Sequence, residues 1–179
     1  SRKRVLMSFA LGFLVVTVDL FCKQKMSKAE HYFFEFQGIF DSHTGRQLLR
    51  NHCVKELTSE SFDFIVACNE IEKCAILDAK IAKVQEAYDT FIKESGRLQI
   101  NLAASMVTNI NNFLTLLKQE DDVQKKEAIV SQIYDQAYKA TMLLLKVNMF
   151  PRFIRSAEFV KTIANTKPKD IEKNFAATH

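Results

Sequence analysis

Only four glycines and two prolines are spread over 179 residues. Sheets and hairpins consume turn residues, so this shortage predicts long helices joined by short links. No segment reads as a convincing strand, and eight or nine helices are expected. The length suits one domain with terminal appendages, and a chain this long buries a core without staples. A hydrophobic content of 47% and a charged content of 26% are ordinary globular values.

The charge balance excludes some partners. The net charge is +4, from 25 basic and 21 acidic side chains. The basic residues are scattered, apart from the opening SRKR and the closing KPKDIEK. No basic stripe interleaved with aromatics points to nucleic acid. Cys22, Cys53, Cys68 and Cys74 lack the paired spacing of a metal site and sit in apolar or amphipathic runs. They are expected as buried reduced thiols of a cytoplasmic protein. No glycine-rich phosphate loop, GxSxG or HExxH occurs, and the four histidines have no nucleophile at motif spacing. The expectation is a binding domain with no catalytic residue, cofactor or metal of its own.

Residues 5–18, VLMSFALGFLVVTV, carry no charge. Fourteen residues fall short of the roughly 20 that span a bilayer. A helix packed on the domain is the first reading, with Phe9, Phe13, Val16 and Leu20 at helical spacing. The end of a membrane anchor within residues 1–25 is the second. A chain opening at Ser1 is further read as a processed form or a piece of a longer protein. Ser27 and Glu30 have capping-box spacing, so a helix is expected near residue 28 with Phe33, Phe36, Ile39 and Phe40 inward. Ser42 or Thr44 caps the next helix, whose inner side reads as Leu48, Leu49, Cys53 and Leu57. A third helix carries Phe64, Ala67, Cys68, Ile71 and Ala75 in one stripe. The next is expected over about 78–94, with Gly96 as its C-cap. RLQINL reads as a short extended link, followed by a helix over about 103–118. Acidic residues 120–122 open one long helix that runs to about Val147.

The stretch NMFPRFIRSAEF then breaks the pattern with one of the two prolines. Its companions are Glu60-Ser61-Phe62-Asp63-Phe64-Ile65, Tyr88-Asp89-Thr90-Phe91-Ile92 and Ile100-Asn101-Leu102. In this order and spacing, over about residues 35–165, the four segments resemble the regulator of G-protein signalling (RGS) domain. That family has an acidic-Asn-aliphatic-x-Phe-Trp helix start, a Tyr-x-x-Phe-Ile helix end, an Ile-Asn-Leu link and a Pro-Arg-Phe-Leu-x-Ser run. The resemblance implies an all-α, nine-helix fold: a four-helix antiparallel bundle plus a lobe of N- and C-terminal helices. It places the RGS domain at residues 28–166, an apolar helical extension at 1–27 and a tail at 167–179.

What the resemblance implies for function is binding to heterotrimeric G-protein α subunits and faster GTP hydrolysis on them. The Gα brings its own arginine and glutamine, so the RGS domain is an activator and not an enzyme. Location is expected in the cytoplasm, or at the inner face of the plasma membrane if residues 1–25 anchor. The carried-over contacts are Glu60, Ser61, Asn101, Leu144, Asn148, Met149 and Arg152. Two of them depart from the family: Ser61 stands where Asn is usual, and Met149 where Ser is common. Ile65 replaces a core Trp. The departures at Ser61 and Met149 favour the alternative, a docking module of a larger signalling protein without activating power. Taken one by one, the residues also have plain readings. Asn101 is a link or cap residue, Leu144 a core leucine, Glu60 a first-turn carboxylate favoured by the helix dipole. Arg152 is a surface arginine or a partner for Glu60 or Asp63.

Overall fold

The computed structural model describes residues 36–165, and all regular structure among them is helical. The apolar run at 5–18, the helix start near 28 and the tail at 167–179 lie outside the described residues. No helix among the described residues is long and apolar enough to cross a membrane. The described residues divide into a unit of residues 36–47 with 157–165, and a unit of residues 48–156.

In the first unit α1 (Phe36–Asp41) leads directly into α2 (His43–Lys55), and α9 (Ala157–Asn165) follows later in the chain. Ser42, fully buried, makes the junction. Its hydroxyl donates to the Ile39 carbonyl (3.2 Å) and accepts from the Gly45 amide (2.9 Å). It is therefore the N-cap of α2, and satisfies a donor that the first turn leaves orphaned. Gly45 is closed in by the same junction: a Cβ there would overlap the Ile39 carbonyl and the Ser42 hydroxyl.

The second unit holds the rest of α2 and then α3 (Ser59–Lys73), α4 (Leu77–Ala87), α5 (Ala104–Gln119), α6 (Val123–Gln132), α7 (Asp135–Leu144) and α8 (Phe150–Ile154). Helix α3 packs on α4 and α7, while α6 packs on α4 and α5. The core centres on Phe64. Its ring meets Phe91 and Tyr134 edge-on, each at 5.7 Å between centroids. Such geometry sets the positive ring edge against the negative face. Ile65, in the place of the family's Trp, is fully buried.

The long helix expected from Val123 to about Val147 is two helices, turned at Ile133–Tyr134. The turn lets Tyr134 drive its ring into the core and donate its hydroxyl to the Val84 carbonyl at 2.7 Å. Asp122 caps α6 by accepting the Lys125 amide at 2.9 Å. Gly96 is not the cap of α4. That helix widens into a π-helical turn over Tyr88–Ile92 and stops at Lys93, whose backbone is extended. Helix α3 likewise ends at Lys73, which leaves Ala75 exposed and outside the stripe assigned to it.

Two measurements test this packing. Gly45→Ala must push the Ile39 carbonyl or the Ser42 hydroxyl aside, so thermal unfolding should show a loss of about 1–3 kcal/mol. Burial pushes the Cys53 thiol up to about 11 and the Cys68 thiol to about 12, and also raises the Tyr134 hydroxyl. The folded state holds these protons more tightly than the unfolded chain does. Their contribution is complete well below pH 9 and is lost as pH rises from there through the raised values. Urea unfolding at pH 7, 9 and 11 should therefore give a stability that falls mainly in the upper interval.

Candidate partner-binding edge

Helix α2 ends in a Schellman motif. The Thr58 amide bonds to Cys53 O at 2.9 Å and the Leu57 amide to Val54 O at 3.2 Å. The residue between the helix and the closing amide must turn left-handed, which is why glycine usually stands there. Here it is Leu57, with φ 58°, the sole non-glycine residue of positive φ among those described. The expected inward Leu57 is thus corrected: the chain has left the helix by then, and the side chain is 87% exposed.

The link from α2 to α3 touches a second segment on both sides of Leu57. Arg152 pairs with Glu56. Thr58 Oγ1 lies 3.7 Å from Met149 Sδ and 3.4 Å from Cys53 O, and its single proton serves either. The hydroxyl therefore makes no cap for α3. Arg50 grips Asp63 through two hydrogen bonds of 2.7 and 2.9 Å, tying α2 to α3 from the other side. The partners suggested for Arg152 by sequence, Glu60 or Asp63, are therefore not the ones it takes.

Pro151 explains the shape of the second segment. A proline ring clashes with the carbonyl four residues back and removes a helix donor. The chain answers with a π-helical turn over Leu145–Met149, closed by the Phe150 amide on Leu145 O, and places Pro151 in the first turn of α8. The helical path is widened here, not stopped. Leu145 and Met149 point inward, while Leu143, Leu144 and Val147 are 62%, 51% and 59% exposed. Leu144, whose default reading was core, therefore lies on the surface, as do Asn148 and Arg152.

Asn101 reaches the surface by a different route. The α4–α5 link folds back on the π-helical end of α4: Leu98 N–H bonds to Thr90 O at 3.0 Å and Ile100 N–H to Phe91 O at 2.9 Å. Ile100 is buried and Asn101, next to it, is exposed. Among the described residues no hydrogen bond or ion pair joins Asn101 to Asn148 or Arg152. Glu60 stands half-buried in the first turn of α3. Ser61 and Met149 lie mostly beneath the surface, at 8% and 5% exposure.

Sequence comparison reaches the same region of the chain. Residues 35–162 match the regulator of G protein signaling domain. The chain belongs to the RGS family. A Caenorhabditis elegans protein named regulator of G-protein signaling rgs-3 is 24% identical over 139 residues, which is 78% of this chain and 34% of that protein. Proteins named regulator of G-protein signaling 1 from Homo sapiens and Equus caballus are each 22% identical over 136 residues. These cover 76% of this chain and 59% and 63% of theirs. The chain thus spans about a third of the first relative and about three fifths of the other two. The all-α arrangement is the RGS fold.

Four surface residues of the edge escaped the sequence: Glu56, Leu57, Leu143 and Val147. Leu143 and Val147 carry no outward signal in the sequence pattern, and Leu57 extends the α2 period. The signal for Leu57 was the lack of a glycine where the helix had to end. Leu57→Gly removes left-handed strain and no packing, so chemical denaturation should show stability unchanged or raised by up to about 1 kcal/mol. A clear loss would assign the side chain a packing role.

Proposed function

We propose that this chain is a GTPase-activating RGS domain that binds heterotrimeric G-protein α subunits and speeds their GTP hydrolysis, ending the signal. It supplies no reacting group. An activator of this kind binds the switch segments of Gα better in their transition-state arrangement than in the ground state. A hundredfold acceleration requires only about 2.7 kcal/mol of that preference.

The observation that carries the reading is the exposure of Asn101, Leu144, Asn148 and Arg152 on a chain of this family. Asn101 supplies an amide that both donates and accepts. Glu60 supplies a carboxylate at a helix start. Leu57 and Leu144 supply apolar contact, and a leucine held left-handed in solvent is strain of the sort that functional edges retain. The two departures from the family, Ser61 and Met149, are mostly buried in the free domain. They act on the shape beneath the edge more than on its face, which favours activation over the docking-only alternative. Location in the cytoplasm, or at the inner membrane face through residues 1–25, remains part of the proposal.

Single-turnover GTP hydrolysis by Gα subunits of the same organism tests the reading. The chain should accelerate it. Asn101→Ala should weaken the effect by about 10- to 100-fold, the loss expected for truncating a central interface group, with the helical fold intact by circular dichroism. Undiminished acceleration by that variant would remove the switch-holding role of Asn101. Binding to the GDP–aluminium fluoride form without acceleration would select the docking module instead.

A further inference from the structure

We propose that Glu56 is a positioning residue of this edge: by latching Arg152 it holds the α2–α3 link and the α7–α8 turn as one body. Its effect on GTP hydrolysis rests on the activator reading above; the latch itself does not.

The Glu56–Arg152 ion pair and the Thr58–Met149 contact cross the seam between these segments. They lie on either side of Leu57, the residue whose backbone is left-handed at φ 58°. A link with an unfavourable backbone, free on one side, relaxes unless neighbours hold it. The helix-ending hydrogen bonds to Cys53 and Val54 hold it from α2. The latch holds it from α8.

Charge explains why the arginine turns this way. Arg152 follows Asn148 by one helical turn, and Asn148 is neutral, so it offers the guanidinium no counter-charge. Lys146 and Arg155 on the same stretch carry the same sign of charge and offer it no partner. Glu56 is the carboxylate it pairs with among the described residues. Both partners are partly solvated, and such pairs add little to folding stability. The consequence of this one is geometric. It aligns the segment bearing Leu57 and Glu60 with the segment bearing Leu144 and Asn148, before any partner arrives. Such pre-organisation lowers the ordering cost of association.

Hydrogen exchange and a charge swap test this together. In the free chain, Glu56→Gln and Arg152→Gln should each speed exchange of the Leu57 and Thr58 amides by about tenfold or more, through local opening. Unchanged exchange at both amides overturns the latch. In single-turnover assays, Glu56→Arg and Arg152→Glu should each raise the concentration for half-maximal acceleration by about tenfold, with the rate at saturation preserved. The double swap should return it to within about threefold of the native chain. Additive losses in the double swap, with the fold intact, overturn the positioning role and leave Arg152 as a direct contact. If the native chain accelerates no Gα, the activator reading falls, and the exchange measurement decides the latch alone.

Discussion

Phe64 meets Phe91 and Tyr134 edge-on, and the placement of the edge descends from this junction of three rings. Glu60 precedes Phe64 by one turn of α3, so the ring that anchors the helix also aims its first turn. Phe91 carries the carbonyl that receives Ile100 N–H, and Asn101 is the next residue. Tyr134 turns the chain between α6 and α7 and reaches Val84 with its hydroxyl. Helix α7 leaves from that turn and ends at Leu144. Residues far apart in sequence thus reach the surface from a common buried core.

Backbone carbonyls and amides do much of the positioning. The α4–α5 link is held by two bonds onto the π-helical end of α4, and α2 is closed by two amides at Leu57 and Thr58. Side chains on such links need little bulk of their own to be placed well. Asn101 is exposed and without a described hydrogen bond, yet its main chain is pinned one residue earlier. A side chain free to bond on a backbone already fixed is what recognition of a polar partner group requires.

The proline at 151 shows how a local rule acts through its surroundings. Read alone, it announces a break between helices. In the fold the clash is absorbed by widening the preceding turn, because Leu145, Met149 and Phe153 are all buried and keep the path in place. Leu143 and Leu144 end α7 and Val147 lies within the widened turn, and all three are on the surface. A strict 3.6-residue period carried on from Ala137 places Leu144 inside, which is why its exposure could not be read off the pattern.

Helical class and the approximate spans of α3, α4 and α5 follow from the sequence itself, which also narrows the cap of α2 to Ser42 or Thr44. Glycine shortage, apolar period and capping chemistry act within a few residues of each other. The four motif segments in their order carry the family as well. Other features required the tertiary structure. The turn at Ile133–Tyr134 exists because a tyrosine finds Phe64 and a carbonyl 50 residues away. The outward turn of Leu57 depends on where α2 stops, and the pairing of Arg152 with Glu56 on two segments meeting across 96 residues. Local chemistry determines what each segment becomes. Which side chains remain for a partner is decided by what the core has already taken.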